Sequence, residues 1–170
     1  MGDRFRTLNN ESNQPIIIDD VILICNGEIY NYKELAKDLN IIMHTQSDCE
    51  IIIHMYKLYG IEYTLNILDG VFAFIIYDKN TNNIITARDP YGVRPLYYYT
   101  EINVLGFASE LKSLVGLHRR LNCETNKYYV NQFESGTYSE YELSFRVNSS
   151  WEQVKKNVRY FNFGLSNQIV

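Results

Sequence analysis

The stretch VILICNGEIYNY, Val21–Tyr32, decides how this chain is read. Five consecutive apolar residues, Val21 to Cys25, read as a buried β-strand, and Asn26-Gly27 then breaks the run with a dipeptide that favours turns. Taken alone, the pair has two readings. It is a turn, or it is a rigid strand end that presents a side-chain amide and a glycine backbone N–H to one point in space. Two donors so placed stabilise a negative oxygen, and glycine lets a substrate approach the backbone closely.

Upstream, PIIIDDVILIC gives two apolar runs joined by Asp19-Asp20, the pattern of a short hairpin. Residues 1–15 are polar and read as loop. Downstream, YKELAKDL (Tyr32–Leu39) has the spacing of a short amphipathic helix. TQSDCEIIIHMYKLYG predicts a stronger helix over 48–59: Ser47 and Glu50 have capping-box spacing and Gly60 stops the apolar run. A short helix, EYTLNIL, follows, and Asp69-Gly70 is a turn. VFAFIIYD (Val71–Asp78) is nearly all apolar, as expected of a central strand buried on both faces. KNTNN turns the chain into the return strand IITAR.

In the next segment, DPYGVRP is a tight loop that Arg88, Asp89 and Arg94 are expected to fix by charge-assisted hydrogen bonds, with Gly92 in a turn. LYYYT and VLGFAS form a further hairpin, and SELKSLVGL predicts a helix over 109–115, N-capped by Ser109. KYYVNQF and TYSEYELSF read as strands, and Trp151 to Tyr160 as a short helix. His54, in the middle of its helix, reads as a partly buried or surface histidine.

A chain of 170 residues fits one domain with a substantial core, and 15 tyrosines with 8 phenylalanines favour sheet. The net charge of −4, with no basic run longer than a pair, argues against nucleic acid or an anionic membrane as partner. Three cysteines without close spacing suggest a reducing compartment, and no Cys/His set has zinc spacing, so no metal site is expected. No apolar run approaches the ~20 residues of a membrane span. The expected location is the cytoplasm.

Two more charged residues have double readings. Asp48 is either a favourable charge at a helix start or a partner for a substrate ammonium. Arg4 is either a solvated loop charge or a clamp for a carboxylate.

The motifs NQP, NGEIYNYKEL, TQSDCE, LDGVFAFIIYD, ARDPYGVRPLYYY and FASELKSL occur here in one order. As a set they closely resemble the class II glutamine amidotransferase domain of asparagine synthetases, over about residues 4 to 115. The resemblance implies an α+β fold: the four-layer sandwich of the N-terminal-nucleophile hydrolases, two antiparallel sheets between helices, here incomplete at the N-terminus. It implies that residues 1–143 form the partial amidotransferase domain and 144–170 a divergent tail. Asn26 and Gly27 match the family's oxyanion hole, and Glu28 beside them matches a contact to the amino-acid end of glutamine. Asp48 matches the carboxylate that holds the α-ammonium, and Arg4 the arginine that pairs with the α-carboxylate. A zwitterion with an amide at its far end needs such a set: one cation, one anion and amide donors.

The sequence also departs from the family. The family's nucleophile is a cysteine that becomes residue one and uses its own α-amine as base; here Gly2 follows Met1. Cys25 and Cys49 read as packing residues, and Cys123 has no assigned role. The S-G-G-x-D-S loop of the synthetase half is also absent, so no cofactor is expected in this chain. ATP and magnesium belong to a synthetase domain. The implied function is glutamine binding and hydrolysis that supplies ammonia for asparagine formation from aspartate and ATP, with this chain inactive alone. The expected partners are glutamine and a synthetase domain or a complementing chain. Absent opening strands are expected to leave a long sheet edge uncovered. The alternative is a non-catalytic glutamine-binding or protein-interaction module.

Overall fold

The computed structural model describes residues 13–101, 104–120, 130–144 and 150–161. The hairpin around Asp19-Asp20 is present: β1 (Ile16–Ile18) pairs antiparallel with β2 (Val21–Ile29), and Asp19 turns the chain at φ 51°. After α1 (Tyr32–Asp38) comes α2 (Glu50–Ile67). Gly60 breaks α2 with φ 76° and ψ 174°, a conformation that only glycine adopts without strain, so the two helices expected on either side of it are both there.

The strands β3 (Gly70–Asp78) and β4 (Asn83–Arg88) follow as expected. Then come β5 (Tyr97–Glu101), β6 (Val104–Ala108), α3 (Leu111–Arg120), β7 (Val130–Gln132), β8 (Thr137–Ser144) and β9 (Ser150–Arg159). The helix expected from Ser109 begins at Leu111.

The strands make two antiparallel sheets. The larger runs β1-β2-β3-β4-β8-β9 and the smaller β6-β5-β7. Side-chain alternation gives each strand of the large sheet two faces. Leu23, Cys25, Phe72, Phe74, Ile76, Ile85 and Ala87 pack against Ile51, Ile52 and Met55 of α2. The opposite face of β3 presents Ala73 and Ile75 to Leu96, Tyr98, Phe107 and Phe133 of the small-sheet region. The continuous apolar run of β3 is therefore explained by burial on both faces. Tyr99, adjacent to Tyr98, is fully buried on the other face of the small sheet, against which α3 packs. Helices, sheet, sheet and helix make four layers, the sandwich that the resemblance implies.

Two expectations are corrected. Trp151–Tyr160 is not a helix: Ser150–Arg159 is β9, paired with β8 from Thr137↔Arg159 to Ser144↔Ser150. Trp151, Val154 and Val158 have helical spacing, but β8 offers an open row of backbone groups and Lys155 meets Glu140 across the pair at 3.1 Å. The strand containing Asn26-Gly27 does not end there; β2 continues to Ile29, paired with Gly70.

Beyond Leu23, where pairing with β1 ends, no strand lies beside the outer edge of β2 among the described residues, as expected, and side chains meet part of it. The Gln14 side-chain amide spans Cys25, donating to its carbonyl (2.6 Å) and accepting from its N–H (2.7 Å). Two residues on, the Gly27 carbonyl accepts from the Cys49 thiol at 3.8 Å, and the Ile29 N–H donates to Asp48 Oδ2 at 2.7 Å. Side chains supply what a neighbouring strand would.

Candidate functional site

The strand β2 places its polar residues by alternation. Asn26 and Glu28 stand in register with Ala73 and Val71, and Gly27 with Phe72. The outer-edge groups of residues 25 and 29 face Gln14 and Asp48, so the same alternation turns the Gly27 N–H outward, away from β3. Gly27 is needed for packing as well. A Cβ there would lie 2.4 Å from the Val71 carbonyl oxygen and 2.8 Å from Phe72 Cα, so no side chain fits without moving β3. Gly70 across the pair is equally tight, 2.3 Å from the Glu28 carbonyl oxygen.

Asn26 is exposed and lines a cavity of about 260 Å³ between the two sheets, with Ile24, Ala73, Ile75, Leu96 and Phe107. Asp48 lies just outside α2, whose N-cap is Cys49, so it is not in the helix's first turn. Its carboxylate is fixed by the Ile29 N–H, which sets it beside the Gly27–Ile29 segment. Glu28 is half-buried, with Arg94 Nη2 3.8 Å from its Oε1. The structure thus brings Asn26, Gly27, Glu28 and Asp48 to one end of β2. Arg4 lies outside the described residues, as does Cys123.

The thiols of Cys25 and Cys49 stand behind this tip, both buried. The hydrogen bond with Cys49 and then burial push the Cys25 thiol well above its ordinary range. A thiol held protonated and covered is a poor nucleophile, which fits the packing role expected for Cys25.

Arg94 was missed as a neighbour of this site. Its backbone belongs to the loop that Arg88 and Asp89 hold, where it donates to Asp89 Oδ2 (3.0 Å) and accepts from Arg88 Nε (2.7 Å). Its side chain instead reaches toward Glu28, and its Nε is buried with no partner among the described residues. The signal in the sequence was the motif RDPYGVRP, but only the fold shows that the loop stands over Glu28.

The capping box is also different in detail. The Ser47 Oγ accepts from Cys49 N at 3.3 Å, and the Glu50 carboxylate reaches back to the N–H groups of His44 (2.7 Å) and Thr45 (2.5 Å). Asn31 closes the other side, bonding Ile67 O (2.9 Å) and accepting from Asp69 N (3.1 Å).

Known proteins share this architecture. The glutamine phosphoribosylpyrophosphate amidotransferase of B. subtilis, complexed with ADP and GMP, superposes with a TM-score of 0.67 at 23% identity, over 90% of this chain and 33% of that one. A structure described as the allosteric regulatory enzyme of purine biosynthesis gives 0.63 at 24% identity, over 87% of this chain and 32% of the other. These show that the chain shares their fold.

The family follows from the sequence match. Residues 5–160 match the glutamine amidotransferase domain model, and the chain belongs to that family. A probable glutamine-hydrolysing asparagine synthetase of Acanthamoeba polyphaga mimivirus is 44% identical over 142 residues, 82% of this chain and 24% of the relative. Asparagine synthetase 2 of Bacillus subtilis (strain 168) is 45% identical over 104 residues, 59% of this chain and 14% of the relative. The Gallus gallus asparagine synthetase is 47% identical over 96 residues, 56% of this chain and 17% of the relative. The chain therefore spans about a quarter or less of the length of these three relatives. Among the described residues, no helix is long and apolar enough to cross a membrane.

Proposed function

We propose that the chain binds glutamine at the Asn26–Glu28 tip of β2, as the amidotransferase part of an asparagine-synthetase-type reaction in the cytoplasm. One observation carries this: the Gly27 N–H turns to the same edge at which Asp48 is fixed on the Ile29 N–H. A ligand lying along that edge meets an amide donor at one end and a carboxylate at the other. Asp48 would take the α-ammonium, Asn26 and Gly27 the amide oxygen as it gains charge, and Glu28 the amino-acid end beside Asp48. Arg4 would pair with the α-carboxylate.

Cys25 and Cys49 are buried, so neither thiol would serve as the nucleophile for hydrolysis. The ammonia would pass to a synthetase domain, which would hold ATP and magnesium; this chain needs neither to bind glutamine. The test is calorimetry with L-glutamine against Asp48→Asn. Saturable heat from the parent chain and at least a tenfold weaker Kd in the variant are expected. Equal affinities would remove Asp48 from the site, and no heat from either protein would remove the site.

A further inference from the structure

A second cluster stands at the start of α2, away from the tip of β2. Glu50 is fully buried, and the backbone N–H groups of His44 and Thr45 hold its carboxylate in place. Two imidazoles close on the same oxygen: His44 Nδ1 is 3.3 Å from Glu50 Oε1, and His54 Nε2 is 2.9 Å from it. The rings are stacked 5.8 Å apart and nearly parallel, at 15°. One ligating atom from each of the three residues lies within 4.8 Å of the other two. We propose that His44, Glu50 and His54 bind a divalent transition-metal ion, with zinc(II) as the probe.

The donor set suits such an ion: two neutral imidazole nitrogens and one carboxylate oxygen, leaving a position for water. With metal–ligand bonds of about 2.0–2.1 Å, neighbouring ligand atoms of a tetrahedral site stand about 3.3 Å apart. The observed 3.3 and 2.9 Å are close to that spacing and the third separation is no more than 4.8 Å, so ring rotations would bring the three donors around one ion.

Preorganisation is unequal in a useful way. His54 is one helical turn beyond Glu50 and mostly buried, so α2 itself fixes two of the three donors on one face. His44 is 65% exposed, which gives the ion a path in from solvent. Burial alone would raise the Glu50 pKa, but hydrogen bonds from Thr45, His44 and His54 outweigh it and bring the group down to about 2, so the ligand is an anion at neutral pH. The ion would pin residues 44–50 onto the first turn of α2.

The test strips the chain with a chelator and titrates it with zinc against a chromophoric competitor, with thermal unfolding as a second measurement. One equivalent should bind and raise Tm by a few degrees. His44→Ala, which removes an exposed ring but keeps the backbone N–H on Glu50, should weaken binding at least tenfold and abolish the Tm rise. His54→Ala should do the same; if it fails to fold, the His44 variant decides alone. Cobalt(II) in place of zinc should show the visible d–d bands of a four-coordinate ion without thiolate charge transfer. The proposal is overturned by a parent chain that binds no stoichiometric zinc, by a His44 variant that binds as tightly as the parent, or by a thiolate band that places the ion on cysteine.

Discussion

The loop Arg88–Pro95 and the tip Asn26–Glu28 are neighbours with opposite designs. In the loop, polar groups are consumed. The Arg88 guanidinium donates to the carbonyls of Arg94, Gly92 and Phe133, each at 2.7 Å. The Asp89 carboxylate accepts from the N–H groups of Tyr91, Val93 and Arg94, each at 3.0 Å. Both side chains are buried, so each bond is made away from water, where losing one leaves an unpaired group. At the tip, Asn26 is exposed and its amide has no hydrogen bond among the described residues. Charge that is spent on structure makes a scaffold; polar groups that are left facing a cavity make a site.

The largest effect that sharpens this contrast belongs to Arg88→Ala. It strips three carbonyls of their donor and leaves a void, with an expected loss of about 3–5 kcal/mol from the cavity and the unpaired acceptors together. Urea unfolding measures it, and a midpoint within error of the parent would show that the loop is not the scaffold.

Gly27→Ala comes next. A methyl group 2.4 Å from the Val71 carbonyl oxygen forces β2 and β3 apart, at about 1–3 kcal/mol, the usual range for overpacking. Backbone NMR shifts should move at Val71 and Phe72 as well as at Gly27. Changes confined to the mutated residue would mean that glycine is not required there by packing.

Asp48→Asn keeps the volume, and its amide oxygen can still accept from the Ile29 N–H, so less than about 1 kcal/mol of stability should be lost. Its effect should fall on glutamine affinity instead. Unfolding by more than that amount would assign Asp48 to the scaffold.

The smallest change in stability is expected for Asn26→Ala, within about 0.5 kcal/mol, as for exposed positions with no special bond. Any loss of glutamine binding or turnover would then report chemistry rather than folding. A drop in Tm comparable to that of Gly27→Ala would erase the contrast between loop and tip.

Much of the loop was legible in the sequence because its bonds are local. Arg88, Asp89, Gly92 and Arg94 fall within seven residues, and Gly92 sits at φ 64°, a turn conformation that the motif anticipates. The candidate site was legible as residue types and only partly as geometry. Asn26, Gly27 and Glu28 were identified with a strand tip, but the strand runs on through them. What holds Asp48 is the Ile29 N–H, nineteen residues away, a distance at which no sequence spacing speaks. The Arg94–Glu28 approach was missed for the same reason.

The sequence by itself determined the elements whose signals are short-range. These are the hairpin at Asp19-Asp20, the break at Gly60, the two-sided burial of Val71–Asp78, and the order of motifs that identifies the family. Tertiary structure alone decided which backbone groups would find partners at long range. It made Ser150–Arg159 a strand because β8 had an edge to fill, and it set side chains of Gln14, Cys49 and Asp48 along the edge of β2. It also brought His44 and His54 to one oxygen of Glu50, a convergence in which the loop before α2 folds back onto its first turn. Local propensity is a matter of tenths of a kcal/mol per residue, whereas a buried polar group without a partner costs about 1–3 kcal/mol. Where the two compete, the long-range partner wins.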